Sequence, residues 1–309
     1  MPSNKYRLQT GHKKQLNWKE PPEKRFEIGN FALGLILAKE LRNSVTVVIP
    51  ALNEAGNLER LLLLLEQTFN NLGFTLPVLL IDDGSTDESR QILTRLSDGY
   101  EFLQVICHQQ RQGVTGVWKT ALAHVTSDWI LWGQADLESD PRTDIPLLLS
   151  AYRPGIDAVA GWRQQRGDGK VRASKLANFA CRSIFGLQIH DMNWIKLVRR
   201  DLLSAELLDK TTHRYLLAVL AGQGHQVTEV PTPWHPRYSG KSKFGSGRLL
   251  SSGIDFLKLL GWWCQGKVPR VGEAQQQWTR ESEEDMLLSL LGIDYEYSMV
   301  GQATGLPLN

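Results

Sequence analysis

The sequence predicts an α/β fold in which helices flank a doubly wound, mostly parallel β-sheet. From residue 44 onward, short apolar runs rich in β-branched residues alternate with segments whose leucines recur at helical spacing. Turn-forming or acidic residues follow these runs, as expected where a buried strand ends in a loop. A chain of 309 residues that is 42% hydrophobic is long enough for one large core or two smaller ones. We therefore expect one main domain with extensions.

The first strand and helix come directly after residue 44. Val45 to Ile49 is a β-branched run, and Pro50 is expected to end it. The segment after it predicts a helix because four leucines fall on one helical face. These leucines are Leu58, Leu61, Leu62 and Leu65.

The strand and helix unit then repeats. Residues 76–85 predict a strand and a turn, residues 86–98 a helix with an acid-rich first turn, and residues 101–108 a third strand. Further elements are predicted as strands at 127–134 and 156–162, and as helices near 114–125 and 143–152.

Three regions are predicted: a basic extension at 1–43, the main domain at 44–250, and an amphipathic helix with an acidic tail at 251–309. Residues 1–25 contain seven Lys or Arg and two acids, whereas residues 271–309 contain seven acids and one Arg. The two ends of the chain thus have opposite signs.

The compartment is predicted from cysteines and apolar segments. Three widely spaced cysteines suit neither a disulfide framework nor a zinc cluster, which favours a reducing cytoplasm. No segment has the roughly 20 apolar residues that span a bilayer, and residues 26–40 lie too far into the chain for an ordinary signal peptide. That segment is expected to be a helix packed on the domain or, alternatively, a membrane contact. We expect a cytoplasmic protein, either free or bound as a peripheral protein at the cytoplasmic face of the membrane.

Polar side chains follow three of the predicted strands. They are Asn53 and Glu54, then Asp82 and Asp83, then Gln134, Asp136 and Glu138. The carboxyl ends of parallel strands meet at one edge of a sheet, where ligands of such folds bind. Clustered carboxylates repel unless a cation or hydrogen-bond donors offset them, so this pattern indicates a ligand site.

The common phosphate-binding loops are absent from the sequence. Neither GxxxxGK[ST] nor a GxGxxG after the first strand occurs. The acids instead suggest hydrogen bonds to a base and ribose, with a divalent cation on a diphosphate. The segment DDGSTD would set Asp82 and Asp83 against the nucleoside, although DDGS alone is also typical of a tight turn and helix cap. A pI near 8.4 with scattered Lys and Arg does not favour nucleic-acid binding.

Four motifs, VVIPALNE, LLIDDGSTD, QADLESD and RYSGKSKFG, together resemble the family 2 glycosyltransferases, which have the GT-A (Rossmann-like) fold. The resemblance is closer to the dolichyl-phosphate mannose synthase and polyprenyl-phosphate glycosyltransferase branch, and it covers roughly residues 44–250. It implies inverting transfer of a sugar from GDP-mannose or a UDP-hexose to a polyprenyl- or dolichyl-phosphate acceptor. The sequence leaves the oligomeric state open.

The resemblance also implies a donor pocket and a metal site. The pocket residues would be Pro50, Ala51, Asn53, Glu54, Asp82, Asp83, Gln134 and Ala135. Asp136 would be the remaining acid of the family's DxD motif, which binds Mg²⁺ or Mn²⁺ on the donor diphosphate. Where the branch often reads Asp-Ala-Asp-Leu-Gln, this chain has Gln134 and Glu138 exchanged. In an extended segment Gln134, Asp136 and Glu138 would project to one face and share the cation; the alternative is a decayed site.

On the acceptor side the resemblance implies a basic stretch and a mobile loop. The residues expected to receive the acceptor phosphate are Arg163, Lys170, Arg172, Ser174 and Ser242. Arg237, Gly240 and Lys243 match the family's loop whose cations neutralise the diphosphate and lipid phosphate. Asp191 matches the family's Asp before Gly-Phe, but Trp194 and Ile195 replace that pair. The expected catalytic residues are Asp136, Arg237, Lys243 and Asp191.

Two other functions remain open at the level of sequence. One is transfer to a hydroxyl of a glycan, protein or small molecule, for which Asp191 is the first candidate base. The other is non-catalytic binding of a nucleotide sugar. Residues 247–270 predict an amphipathic helix with Leu250, Ile254 and Leu257 on one face, which either rests on a membrane surface or closes the domain.

Overall fold

In a computed structural model of the chain, the structure describes residues 39, 41–164, 179–240 and 248–265. Seven described strands form one sheet in the order β3-β2-β1-β4-β6-β5-β7. They are β1 (Val45–Ala51), β2 (Val78–Asp82), β3 (Leu103–Cys107), β4 (Trp129–Trp132), β5 (Ala158–Gln164), β6 (Lys196–Arg199) and β7 (Val227–Pro233). Among these strands only β6 is antiparallel to its neighbours.

Helices cover both faces of the sheet. They are α1 (Ala55–Leu72), α2 (Ser89–Ser97), α3 (Gly113–His124), α4 (Pro141–Ser150), α5 (Ala205–Gly222) and α6 (Arg248–Cys264), with further helical residues at 179–185. One apolar core lies between one face of the sheet and the helices α1 and α4. A second core lies on the opposite face beneath α3 and α5, where Trp118 and Trp132 stack with ring centroids 4.0 Å apart.

The predicted fold class is confirmed, with two local differences. β1 does not end before Pro50 but continues to Ala51. Pro50 is tolerated because β1 pairs with β4 only as far as Val48, opposite Trp132, so the missing N–H removes no bond of that ladder. The antiparallel direction of β6 was not predicted. It places the beginning of β6 at the same sheet edge as the carboxyl ends of the other six described strands.

The predicted amphipathic helix corresponds to α6, and its packing supports the prediction that it closes the domain. Leu259 is fully buried, and Trp263 packs edge-on against Phe185 with ring centroids 4.8 Å apart. Ile254 and Leu257, on the predicted apolar face, are 45% and 69% exposed. No described helix is both long enough and apolar enough to cross a membrane. The segment predicted at 26–40 lies almost entirely outside the described residues.

Helix α4 contains a buried acid in its first turn. Asp140 caps the helix by accepting a hydrogen bond from the backbone N–H of Arg142, at 3.0 Å. Asp144 is only 1% exposed, and its Oδ2 accepts a hydrogen bond from Ser139 Oγ at 2.6 Å. Burial raises the pKa of Asp144 to about 7, although the Ser139 hydrogen bond acts in the opposite direction.

This raised pKa makes stability depend on pH. The folded protein holds the Asp144 proton more tightly than the unfolded chain does, so the stabilising contribution is complete below about pH 4 and is lost as pH rises through about 7. Asp144→Asn cannot ionise. The free energy of unfolding of this variant, minus that of wild type, should therefore be larger at pH 8 than at pH 5. We expect the increase to be on the order of a few kcal/mol.

Urea unfolding of both proteins at pH 5 and pH 8 measures this difference. Asp209→Asn, which removes an exposed carboxylate paired with Lys119, serves as the control. An equal difference between Asp144→Asn and wild type at the two pH values would contradict the assigned pKa.

Candidate active site

The polar strand ends meet at one sheet edge, as predicted. The order of strands reverses between β1 and β4, because β2 and β3 lie to one side of β1 while β4 lies to the other. Ligands of open α/β sheets bind in the crevice at such a switch point. The loops after β1, β2, β4 and β7 therefore surround the candidate active site.

The loop after β1 is tied to the loop after β2 by hydrogen bonds. Asn53 has a left-handed backbone with φ of 51°, and its side-chain Oδ1 accepts a bond from the N–H of Thr86 at 2.7 Å. The N–H of Asn53 donates to Ser85 Oγ at 2.7 Å, and the N–H of Glu54 donates to Ser89 Oγ at 2.8 Å. These bonds keep Glu54 in place at the start of α1.

Asp82 is fully buried at the end of β2. Its carboxylate accepts bonds from Ser85, through the hydroxyl and through the N–H at 3.2 Å, and Arg90 Nη2 lies 3.5 Å from Oδ2. This is the tight turn that the sequence DDGS also suggested. Contact of Asp82 with a nucleoside stays a prediction.

Asp83 fastens the loop that precedes α3. Its Oδ1 accepts a bond from the N–H of Gln112 at 2.7 Å, and its Oδ2 accepts one from the N–H of Gly113 at 2.9 Å. His108 Nδ1 lies 2.9 Å from the same carboxylate. Both carboxylate oxygens of Asp83 therefore have partners within the protein.

The loop after β4 carries the altered DxD motif. It is not extended as the sequence analysis assumed, because β4 ends at Trp132 and Leu137 has a left-handed φ of 58°. Asp136 and Glu138 nevertheless converge on one group. Arg237 Nη2 lies 2.7 Å from Asp136 Oδ2, and Arg237 Nε donates to Glu138 Oε1 at 2.8 Å. A third carboxylate, Glu54, lies 3.8 Å from Arg237 Nη1.

Arg237 reaches these carboxylates because the loop after β7 lies on the beginning of α1. Ser239 approaches so closely that a Cβ at Gly56 would be 2.5 Å from Ser239 Oγ. Asn57 Nδ2 donates to the Ser239 carbonyl at 3.4 Å, and the guanidinium of Arg60 lies 4.4 Å from the Tyr238 ring centre. A side chain at position 56 would therefore force Ser239 to shift from its described position.

The site has an excess of negative charge among the described residues, since three carboxylates face the guanidinium of Arg237. Burial raises the pKa of Asp136 to about 6, Arg237 lowers it, and Glu138 and Glu54 raise it further. The excess of two charges and the oxygen donors suit Mg²⁺ or Mn²⁺. In the arrangement described, however, Arg237 contacts the carboxylate oxygens. Among the described residues, no three His, Cys, Asp or Glu side chains are placed so that they could hold a metal ion together.

The other residues predicted to bind the nucleotide-sugar donor are buried or partly buried. Ala51 and Ala135 are each 2% exposed and belong to the apolar core. Pro50 is partly exposed. Gln134 is partly buried and lines a small cavity beneath its own loop, together with Ser139. Their contact with a nucleotide sugar remains a prediction.

The structure joins two residues predicted on the acceptor side. Arg163 and Asp191 form a bidentate pair at 2.5 and 2.9 Å, and the Arg163 guanidinium lies 4.6 Å from the Trp194 ring centre. The Trp194 and Ile195 pair fits because position 161 is glycine, where a Cβ would be 2.7 Å from Ile195. Lys170, Arg172, Ser174, Ser242 and Lys243 lie outside the described residues.

Several residues that shape the site were missed at the level of sequence. Lys196 is buried near the Arg163–Asp191 ion pair and donates to the Met192 carbonyl at 3.0 Å. Burial is the main cause that lowers the pKa of Lys196 to about 8. Trp234 Nε1 donates to Glu138 at 3.4 Å. Ser85 and Ser89 hold the loop after β1. Only the two serines carried a sequence signal, because they lie within or next to the DDGSTD motif.

Comparisons with known proteins agree with this architecture. The family model described as glycosyl transferase family 2 matches residues 46–214. An undecaprenyl-phosphate 4-deoxy-4-formamido-L-arabinose transferase from Klebsiella pneumoniae subsp. pneumoniae is 31% identical over 222 residues, which cover 70% of this chain and 67% of the relative. A transferase of the same name from Pseudomonas paraeruginosa is 28% identical over 69% of this chain and 64% of its own. The chain thus spans about two thirds of these relatives.

Solved structures resemble the fold. Glucosyl-3-phosphoglycerate synthase from Mycobacterium tuberculosis, in complex with Mn²⁺, UDP and phosphoglyceric acid, has a TM-score of 0.54 and 19% identity over 77% of this chain and 83% of its own. Mannosyl-3-phosphoglycerate synthase from Rubrobacter xylanophilus has a TM-score of 0.58 and 13% identity over 79% and 81%. With the family model matched over more than half of its length, this chain belongs to glycosyl transferase family 2 and is a glycosyltransferase with the GT-A fold.

Proposed function

We propose that this glycosyltransferase moves a sugar from a nucleotide-sugar donor to a polyprenyl-phosphate acceptor, with inversion at the anomeric carbon. The observation that carries the donor half is the cluster of Glu54, Asp136, Glu138 and Arg237 at the switch point of the sheet. A nucleoside diphosphate is an anion that pairs with a guanidinium, while the carboxylates pair with a divalent cation.

The acceptor half rests on the relatives and on Asp191. The curated relatives are named as transferases to undecaprenyl phosphate. A phosphate oxygen is already anionic at neutral pH and needs no general base. Asp191 is bound by Arg163 on both carboxylate oxygens, an arrangement that favours an ion-pair role over that of a base for a hydroxyl acceptor.

The chemistry then reduces to alignment and charge neutralisation. An acceptor phosphate oxygen attacks the anomeric carbon and forms the new C–O bond. The bond to the diphosphate breaks, and its electron pair leaves with the nucleoside diphosphate. Arg237 stabilises the charge on the leaving group after its release from the carboxylates.

A divalent cation would be held by Asp136 and Glu138, with Gln134 as a neutral oxygen donor. When bound, it would neutralise charge on the donor diphosphate. Structures of the mycobacterial relative were obtained with Mn²⁺ or Mg²⁺ together with UDP, which supports this choice of ions.

Helix α6 is the proposed contact with the membrane that contains the lipid acceptor. Ile254 and Leu257 lie three residues apart on one face and are exposed, and Lys258 beside them is also exposed. Exposed apolar side chains next to a cation suit the surface of an anionic membrane. This proposal places the protein at the cytoplasmic face of the membrane as a peripheral protein.

Product partition tests the proposed function. The purified protein is incubated with Mn²⁺, undecaprenyl phosphate and labelled donors, namely UDP-hexoses, GDP-mannose and nucleotide-linked 4-deoxy-4-formamido-L-arabinose. We expect the label from one donor to enter the organic phase, and chelation of the metal to abolish this transfer. Label that stays in water and moves to a hydroxyl compound such as phosphoglyceric acid would instead support a hydroxyl acceptor.

Substitution of Arg237 tests its role in transfer. Arg237→Ala should lower kcat by about 100-fold while weakening nucleotide binding much less, because its charge acts on the departing diphosphate. The kcat of Arg237→Lys should lie between those of wild type and Arg237→Ala, since lysine keeps the charge but not the guanidinium fork. Steady-state kinetics and calorimetry with UDP and GDP measure both quantities.

The control is Arg95→Ala, which removes an exposed arginine that pairs with Glu59 on the surface. It should leave both quantities unchanged. Equal losses of turnover and nucleotide affinity in Arg237→Ala would mean that Arg237 acts only in ground-state binding.

Membrane contact through α6 is tested by sedimentation with phosphatidylglycerol vesicles. Leu257→Glu should reduce the vesicle-bound fraction several-fold, because it replaces an apolar contact with a charge that anionic lipid repels. Leu63→Glu is the matched control, since Leu63 is an exposed leucine on α1. If Leu257→Glu sediments like wild type, α6 is not the membrane contact.

A further inference from the structure

The buried acid Asp144 lies close to the loop that carries Asp136 and Glu138. Its one described side-chain partner is Ser139, at 2.6 Å, and Ser139 follows Glu138 directly. Ser139 is itself only 5% exposed, so this hydrogen bond is shielded from water. The bond therefore connects helix α4 to the end of the loop that holds the two acids.

Nothing in the packing of α4 explains an acid at this position. A cavity of about 20 Å³ is lined by Asp144, Ser139 and Gln134 and otherwise mainly by apolar side chains. In the described part of the chain, Asp144 Oδ1 has no hydrogen-bond partner. A buried polar atom without a partner destabilises a fold, and Asp140 already caps the helix. An apolar residue would serve α4 better.

The loop, by contrast, needs an anchor on this side. Leu137 has a left-handed backbone, which is unfavourable for a leucine, and the carboxylates of Asp136 and Glu138 repel each other. Arg237 offsets this repulsion, and the His235 N–H donates to the Glu138 carbonyl at 3.0 Å. Both contacts come from the loop after β7. They are weakened if that loop moves to bind a diphosphate.

We propose that Asp144 is a positioning residue that holds the loop 134–139 through Ser139, so that Asp136 and Glu138 stay together when Arg237 leaves them. Asp144 touches neither donor nor acceptor. Its effect on donor binding rests on the function proposed above, whereas its effect on the order of the loop does not.

Three substitutions separate this role from simple packing. Ser139→Ala removes the donor hydroxyl, Asp144→Leu removes the acceptor at similar volume, and Asp144→Asn keeps an acceptor oxygen in the same place. Ser150→Ala is the matched control, because Ser150 is also a buried serine of this region and donates only to the Leu147 carbonyl.

The readouts are hydrogen exchange of residues 133–140 and the affinity for Mn²⁺ with UDP or GDP. Ser139→Ala and Asp144→Leu should each speed exchange in this segment and weaken Mn²⁺-dependent nucleotide binding about tenfold, as loss of a supporting hydrogen bond does at metal sites. The double variant should lose no more than either single variant. Asp144→Asn and Ser150→Ala should match wild type.

Unchanged exchange at 133–140 in Ser139→Ala, or losses that multiply in the double variant, would overturn the proposal. So would failure of Asp144→Asn to restore the wild-type behaviour. If wild type binds neither nucleotide with Mn²⁺, the proposed function is wrong, and the exchange data still decide whether Asp144 orders the loop.

Discussion

The contact of Arg237 with Asp136 and Glu138 is the interaction on which the arrangement of the candidate active site depends. The described loops after β1 and β4 both bring carboxylates to the switch point of the sheet, and without a cation these groups would repel. The guanidinium comes from a third loop, which lies so close to α1 that a side chain at residue 56 would displace Ser239. One guanidinium thus offsets the charge of carboxylates from two other loops.

Sequence patterns predicted what is local. The alternation of strands and helices and the polar residues after β1, β2 and β4 follow from periodicities a few residues long. The partners of those residues are remote: Arg237 and Glu138 are 99 positions apart. The direction of β6 was not predicted, because a strand four residues long carries no signal of its orientation. The pairing of Arg163 with Asp191 was not predicted either, because these residues are 28 positions apart. The binding roles of Asp82 and Asp83 remain predictions, since the described contacts of both carboxylates are with other residues of the protein.

The two sides of the candidate active site have opposite charge among the described residues. Around Arg237 the carboxylates are in excess, whereas Arg163 and the buried Lys196 outnumber Asp191. The replacement of the family's Gly-Phe pair by Trp194 and Ile195 preserves this second group, because Gly161 on β5 provides the space that the larger side chains need. This second group, the proposed acceptor side, is thus cationic around the packed Trp194 and Ile195.

Leu137 limits which sequences can maintain this site. Its side chain is 6% exposed within the core, while its backbone is left-handed. A glycine or asparagine would accept that backbone but would leave a gap in the core, and valine or isoleucine would fill the core but would clash with the backbone. Few amino acids meet both demands. In a mutational library, position 137 should therefore be nearly as intolerant as the acids on either side of it, although its side chain has no chemical part in transfer.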